Sequence, residues 1–234
     1  MSDKHLSSQF DADLNLISSK VLEMGGLVES QIVQAMQALN EFDSDAADRV
    51  IVDEERLNSM EVEIDEECSN IIARRQPAAR DLRLLLAISK TITNLERAGD
   101  EAEKIAKRVK RLMDDGTLRT VNIAEIKVSG EMAVTILRRA LDAFARLDTV
   151  AAAQIVRDDK AIDEEFRAFV RKLVTYMMED PRTISAGLDF LFIAKAIERI
   201  GDHAKNIAEF IIYIVKGTDV RHKSRDALER EALS

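Results

Sequence analysis

Apolar residues recur at helical spacing in six long stretches of this chain, and short polar breaks separate the stretches. Ser44 or Asp45 in the first break and Thr149 in the fourth are suited to cap the helices that follow them, and Pro181 is tolerated at the first position of a helix. The pattern predicts helices over residues 11–42, 45–75, 79–113, 119–147, 150–179 and 182–216. Each would be about 45 Å long at the α-helical rise.

The apolar pattern occurs twice, which indicates that the chain is built from two copies of one unit. In the second and fifth helices, residues seven apart form a bundle seam: Val50, Leu57, Ile64 and Ile71, and then Ile155, Ile162, Phe169 and Tyr176. The third and sixth helices carry two stripes that are offset by 102 residues: Ile88, Ile92, Leu95, Gly99, Ala102, Ala106 and Val109, and then Phe190, Ala194, Ile197, Gly201, Ala204, Ala208 and Ile211. In the earlier part of each half, the offset between matching residues is 105. These constant offsets indicate an internal duplication.

Short connections between long helices predict antiparallel neighbours. The predicted fold class is therefore all-α, with two tandem, pseudo-symmetric three-helix bundles of up-down-up topology. We place the first bundle at residues 1–115, the second at 116–217 and a polar C-terminal tail at 218–234. The composition agrees, because 33% of the residues are charged and only 8 Gly and 2 Pro interrupt the helical pattern.

The same acidic motif lies late in both stripes. Glu96 and Asp100 are spaced i, i+4, as are Glu198 and Asp202, so both carboxylates of each pair project from one helix face. A glycine precedes each aspartate in mid-helix, where it costs roughly 1 kcal/mol relative to alanine. One such pair alone is more often a solvated face with nearby lysines, but the duplication favours a binding site.

Acidic residues on the neighbouring helices occupy matching places along the same seams: Glu54 on the second helix, and Asp159 with Asp163 on the fifth. Clustered carboxylates repel one another unless a cation holds them, and all-oxygen donors suit hard cations such as Mg²⁺, Ca²⁺, Mn²⁺ or iron. Because Asn58 stands where the second half has Asp163, we expect the first site to bind metal more weakly than the second. Further candidate ligands are Glu55, Glu103 and His203.

Charge and composition narrow the classes of function. The net charge of −9 argues against nucleic-acid binding, which needs a basic surface. The N-terminus has no apolar signal region and no apolar run reaches membrane-spanning length, so we expect a cytoplasmic protein without membrane insertion. The single cysteine, Cys68, is interpreted as a small core hydrophobe in a reducing compartment.

The sequence lacks the usual signatures of catalysis. Nucleotide-binding loops, zinc-ligand spacings and the Glu-x-x-His motif of di-iron bundles do not occur, and no nucleophile has a matching histidine. We therefore predict that the protein is not an enzyme. A metal-dependent hydrolase acting on phosphorylated compounds is the alternative, and a purely structural helical scaffold is a third hypothesis.

A basic cluster surrounds Pro77 at the turn between the second and third helices. Its members are Arg74, Arg75, Arg80 and Arg83. A solvated tip with helix-end charges would explain it, and so would a docking surface for an acidic partner or for phosphate.

Two segments resemble the PhoU family of phosphate-uptake regulators. The first is residues 75–83, with the sequence RQPAARDLR, followed by LERAGD at residues 95–100. The second is ERIGDHAKNIAE at residues 198–209. The resemblance covers about residues 8–216, and the two linked motifs together with the duplication make it specific.

The resemblance implies a cytoplasmic, often dimeric protein built of two three-helix bundles, which represses the phosphate-starvation response. Family members couple the ATPase subunit of the phosphate-specific ABC transporter to a sensor histidine kinase, so the leading hypothesis is a signalling adaptor. Their Glu/Asp-x-x-x-Asp motifs bind metal clusters, with iron in some members. Those motifs correspond here to Glu96 with Asp100, Glu198 with Asp202, and Asp159 with Asp163, whereas Glu54 is followed by Asn58 in place of the aspartate.

Overall fold

The structure, a computed structural model, describes residues 8–114 and 122–233. Seven α-helices and one 3₁₀ turn occur in these ranges, without any strand: α1 Ser8–Glu41, α2 Ser44–Arg75, α3 Ala79–Asp114, α4 Ala124–Arg146, α5 Thr149–Glu179, the turn Pro181–Thr183, α6 Ile184–Lys216 and α7 Arg225–Leu233. The predicted all-α class is confirmed. Five of the six predicted helices begin and end within three residues of the observed bounds.

The fourth helix begins later than the sequence pattern predicts. Residues 119–121 of the predicted helix lie outside the described part of the chain, and α4 begins at Ala124. The side-chain oxygen of Asn122 accepts a hydrogen bond from the backbone N–H of Ala124 at 3.0 Å. Asparagine competes in this way with the helical hydrogen bonds of its own backbone, so the helix starts after it.

The helix caps differ by one residue from the prediction. Asp43 caps α2 and Asp148 caps α5, and each carboxylate accepts backbone N–H groups of the first helical turn. Ser44 and Thr149 are the first helical residues instead, so the prediction that either of them, or Asp45, forms the cap was wrong. A carboxylate is also favoured at this place because it faces the positive end of the helix dipole.

Each half of the chain forms a three-helix bundle, with α1, α2 and α3 in one and α4, α5 and α6 in the other. Both predicted stripes of α3 and α6 are buried throughout, as is the α2 seam, and Cys68 lies in the core as predicted. Tyr176 is the one predicted seam residue that is only half-buried, because it stands near the end of α5.

The two bundles pack against each other through symmetry-related contacts. A Cβ atom on Gly25 of α1 would lie 2.3 Å from Leu141 of α4, and a Cβ on Gly130 of α4 would lie 2.3 Å from Met36 of α1. Both pairs are related by the 105-residue offset, so the second contact repeats the first about a pseudo-twofold axis. α3 and α6 meet along the same axis and share the most extensive helix contact in the described ranges.

The tail folds back on the second bundle as α7. Leu228 and Ala232 of α7 are buried, and Arg157 of α5 forms an ion pair with Glu229 at 2.6 Å. None of the described helices combines the length and the apolar character that crossing a membrane requires. The predicted boundary between residues 115 and 116 lies outside the described part of the chain.

Candidate cation sites

The first carboxylate set consists of Glu54 on α2 with Glu96 and Asp100 on α3. Gly99 brings α2 and α3 together here, because a Cβ on it would lie 2.1 Å from Leu57 Cδ2 and 3.4 Å from Glu54 Oε2. Glu54 is only 7% exposed as a result, whereas Glu96 and Asp100 are partly exposed. The structure thus holds one carboxylate of the set inside the bundle and two at its edge.

Gln31 of α1 also contacts the first carboxylate set, although the sequence pattern did not predict it. It is fully buried, and its Nε2 donates to Glu54 Oε2 at 3.3 Å. A Cβ on Gly99 would lie 3.0 Å from Gln31 Oε1. A polar residue at a core position of the α1 stripe, between Val28 and Ala35, is the signal that could have identified it.

The first set carries a surplus of negative charge. Burial, and then the nearby Asp100 carboxylate, raise the pKa of Glu54 to about 7, although the Gln31 hydrogen bond acts in the opposite direction. Burial also raises the pKa of Glu96, again with a contribution from Asp100. Among the described residues, no basic side chain lies within ion-pair distance of Glu54 or Glu96, and Lys104 reaches Asp100 only at 3.9 Å. The Oε1 atoms of Glu54 and Gln31 are buried acceptors without a donor in the described structure.

The second carboxylate set consists of Asp159 and Asp163 on α5 with Glu198 and Asp202 on α6. Gly201 plays the part of Gly99, since a Cβ on it would lie 2.9 Å from Ile162 Cδ1 and 3.0 Å from Asp159 Oδ1. Every carboxylate of this set forms an ion pair. The pairs are Lys205 with Asp159 and Asp202, Lys195 with Glu198, and Arg167 with Asp163.

Both sets are therefore assembled on one edge of a helix pair, as the seams predict, but neither is a finished coordination cage. No three His, Cys, Asp or Glu side chains of the described residues are arranged so that they could hold a metal ion without moving. The buried acceptors and the surplus charge fit a hard cation at the first set. At the second set, Lys205, Lys195 and Arg167 already supply positive charge to the carboxylates, although burial still raises the pKa of Asp159.

The further ligand candidates lie outside the first and second sets. Glu55 and Asn58 are exposed on α2. The expectation that Asn58 weakens the first set stays a prediction. Glu103 forms an ion pair with Lys107 at 2.6 Å. His203 points into the α3–α6 interface, where its Nδ1 lies 3.1 Å from Asn94 Oδ1.

The α3–α6 interface contains a polar network that the sequence analysis did not predict. Glu101, almost fully buried, pairs with Arg199 at 2.9 Å and with Lys104 at 3.0 Å. Its counterpart at the 102-residue offset is His203, whose pKa burial and the nearby Arg199 lower to about 4. His203 is therefore neutral at physiological pH, and Glu101 carries the charge that pairs across the two bundles.

The four predicted partner-binding arginines differ in their contacts and exposure. Arg75 donates two hydrogen bonds to Asp13, and Arg74 donates one to a backbone carbonyl of its own helix. Arg83 is half-buried against Gly217, whose Cβ position would lie 3.4 Å from its Cζ atom. Arg80 is exposed and lines a groove of about 960 Å³ between α1, α3, α4 and α6.

The PhoU domain family matches this chain twice, over residues 21–109 and 126–211, which are the two bundles. The chain belongs to the PhoU family. This is a family of regulatory accessory proteins and not of enzymes, so the hydrolase alternative loses its basis. The resemblance noted in the sequence is confirmed, and the PhoU matches account for both copies of the duplicated unit.

PhoU relatives cover almost the whole chain. A phosphate-specific transport system accessory protein PhoU homolog from Burkholderia sp is 62% identical over the full length of both chains. The Escherichia coli PhoU protein is 48% identical over 97% of this chain and 94% of its own. The crystal structure of PhoU from Pseudomonas aeruginosa superposes with a TM-score of 0.86 at 47% identity, covering 89% of this chain and all of that one. The phosphate transport system regulatory protein PhoU from Streptococcus pneumoniae gives a TM-score of 0.84 at 27% identity, over 90% of this chain and 99% of that one.

Proposed function

We propose that this protein is a negative regulator of phosphate uptake and of the phosphate-starvation response. The observation that carries the proposal is the match to the PhoU family along both bundles, joined to relatives named as accessory proteins of the phosphate-specific transport system. In this role it is an adaptor between the ATPase subunit of the phosphate-specific ABC transporter and a sensor histidine kinase. It acts in the cytoplasm as a homodimer and needs no catalytic group of its own.

The adaptor role fits the way the two bundles are joined. They share one core, and the close contacts of Gly25 with Leu141 and of Gly130 with Met36 connect α1 to α4. Two joined bundles present surfaces on opposite faces, which suits simultaneous contact with two partners. Arg74, Arg75 and Arg80 are exposed, and Arg75 is paired with Asp13, so Arg74 and Arg80 are the candidates for an acidic partner surface.

The first carboxylate set holds a hard metal ion in this proposal, with Fe, Mn, Mg and Ca as the candidates. Glu54, Glu96 and Asp100 would be its ligands, and the ion would supply the positive charge that the buried carboxylates lack. The raised pKa values and the unpaired acceptor atoms support this assignment. Such an ion would be structural and would fix α2 against α3.

The regulatory proposal predicts the behaviour of a deletion strain. Without this protein, phosphate-starvation genes should be expressed, and phosphate uptake should stay high, even when phosphate is plentiful, because the kinase no longer receives the transporter signal. A reporter for a starvation gene, measured in high phosphate with and without a restoring copy, gives the answer. Normal repression in the deletion strain would overturn the proposal.

A further inference from the structure

The order of charges along α3 and α6 is reversed between the two halves at one place. The 102-residue offset pairs Glu103 with Lys205 and, one turn later, Lys107 with Glu209. The order of charges is therefore reversed between the halves. Three pairs in the two carboxylate sets keep their sign: Glu54 corresponds to Asp159, Glu96 to Glu198, and Asp100 to Asp202. The fourth acid of the second set, Asp163, corresponds to the neutral Asn58.

Lys205 directs its ammonium group between the acids of the second set. Its Nζ lies 3.3 Å from Asp159 Oδ2 and 3.2 Å from Asp202 Oδ1. These two residues belong to different helices, so the ammonium bridges α5 and α6. Asp159 is 2% exposed. An unpaired charge at that depth would cost much free energy, so the ion pair with Lys205 stabilises the buried carboxylate.

Glu103, the counterpart of Lys205, supplies no positive charge to the first set. Its carboxylate pairs with Lys107 of its own helix at 2.6 Å, and no ammonium group of the described residues bridges Glu54 and Asp100. The first half also contributes the unpaired amide oxygen of Gln31, for which the second half has the buried apolar Ile136 at the 105-residue offset. Spare oxygen acceptors and an uncompensated charge thus coincide in the first half alone.

We propose that Lys205 is a built-in cation that takes the place of a metal ion in the second carboxylate set, so that this chain binds metal at the first set alone. The inference rests on the metal-binding part of the proposed function. The ammonium and a hard metal ion meet the same electrostatic need, and the two cannot share the space between Asp159 and Asp202. The duplicated fold then has one site that can gain or lose a metal ion, the first set, and one site that always holds the Lys205 ammonium, the second set.

Mn²⁺ stoichiometry tests this on the full-length protein, stripped of metal with a chelator and then dialysed against Mn²⁺. Lys205→Met should raise the bound Mn²⁺ per chain about twofold over the wild type, because it opens the second set. The matched control is Lys160→Met, which removes the same charge from an exposed ion pair with Glu164 on α5 and should leave the stoichiometry unchanged. Equal stoichiometry in Lys205→Met and the wild type would overturn the proposal.

A second variant keeps the test decisive if Lys205→Met does not fold. The double swap Glu103→Lys with Lys107→Glu copies the charge order of the second half into the first, and it should abolish Mn²⁺ binding while the thermal unfolding transition persists. Wild-type binding in a folded double-swap protein would contradict the proposal. If the wild type binds no Mn²⁺ but Lys205→Met does, the role of Lys205 stands, and the metal assignment at the first set fails.

Discussion

Metal-free protein is expected to lose stability as the pH rises from about 4.5 to about 7, and Glu54→Gln is expected to remove the part of that loss that comes from Glu54. The pKa of Glu54 is raised from 4.5 to about 7, so the folded state binds its proton more tightly than the unfolded state does. The stabilisation is complete below pH 4.5 and disappears as the pH passes 7. At about 1.4 kcal/mol per pKa unit, the wild type should fall behind Glu54→Gln by roughly 3 kcal/mol at pH 8.

Urea unfolding of both proteins in chelator at pH 4.5 and pH 8 measures this difference. Glu55→Gln is the control, because Glu55 is exposed on the same helix and its replacement should change stability by less than about 0.5 kcal/mol at either pH. Comparing variants also cancels the titration of Glu209 and His203, which both proteins share. A constant difference between the wild type and Glu54→Gln across this range would show that Glu54 is not buried as described.

Alanine at Gly99 is expected to destabilise the protein by about 1–2 kcal/mol. Its Cβ would lie 2.1 Å from Leu57 Cδ2 and 3.0 Å from Gln31 Oε1, so the α2–α3 contact must open. Overpacking of this kind costs about 1–3 kcal/mol, and the better helix propensity of alanine offsets up to about 1 kcal/mol of it. Urea unfolding at neutral pH measures the change.

Gly26 provides the matched control for this substitution. It lies in α1, and a Cβ on it would meet nothing within 4 Å, so Gly26→Ala should stabilise the protein by up to about 1 kcal/mol. The two variants should therefore move the free energy of unfolding in opposite directions. Stabilisation by Gly99→Ala would mean that α2 and α3 do not meet closely at the first carboxylate set.

The helices and the duplication were predictable from the sequence because they depend on the period of the apolar residues. Both stripes of α3 and α6 occupy core positions, and the mid-helix glycines mark the close approaches that their cost in helix propensity suggests. The location of Glu54 and Asp159 beside those glycines also followed from the pattern. A repeat limits the possible packings, since the apolar stripe of one half must pack in the same way as its copy in the other half.

Features that depend on long-range contacts were not predictable from the pattern. Gln31 and Glu101 carry no local signal of their role, since each acts through a side chain on another helix. The charge of Lys205 is visible in the sequence, but its place between Asp159 and Asp202 is not. The expectation that the second half offers the better metal site therefore stays a prediction, and the Lys205 ammonium that already lies at that set is what argues against it.

The helix caps could not be assigned to single residues from the sequence either. Asp43, Ser44 and Asp45 can all accept N–H groups, so composition alone does not choose among them. The choice is made by the preceding residue, Phe42, which adopts a left-handed conformation with φ of 55°. Its counterpart Leu147, with φ of 51°, sets the α5 cap in the same way.

The unequal carboxylate sets suggest how a duplicated fold can keep a single regulatory site. In the proposal, the Lys205 ammonium fixes α5 against α6 at the second set, whereas the first set would depend on an added cation to fix α2 against α3. Metal occupancy would then change the rigidity of one bundle only. An adaptor with one fixed and one adjustable half can hold one partner while its grip on the other varies.

The most direct test of this account is an anomalous difference map from crystals grown with Mn²⁺ and without chelator. The account predicts anomalous density beside Glu54, Glu96 and Asp100, and none between Asp159 and Asp202, where the Lys205 ammonium should be seen instead. Anomalous density at the second set, or its absence from the first, would contradict the account.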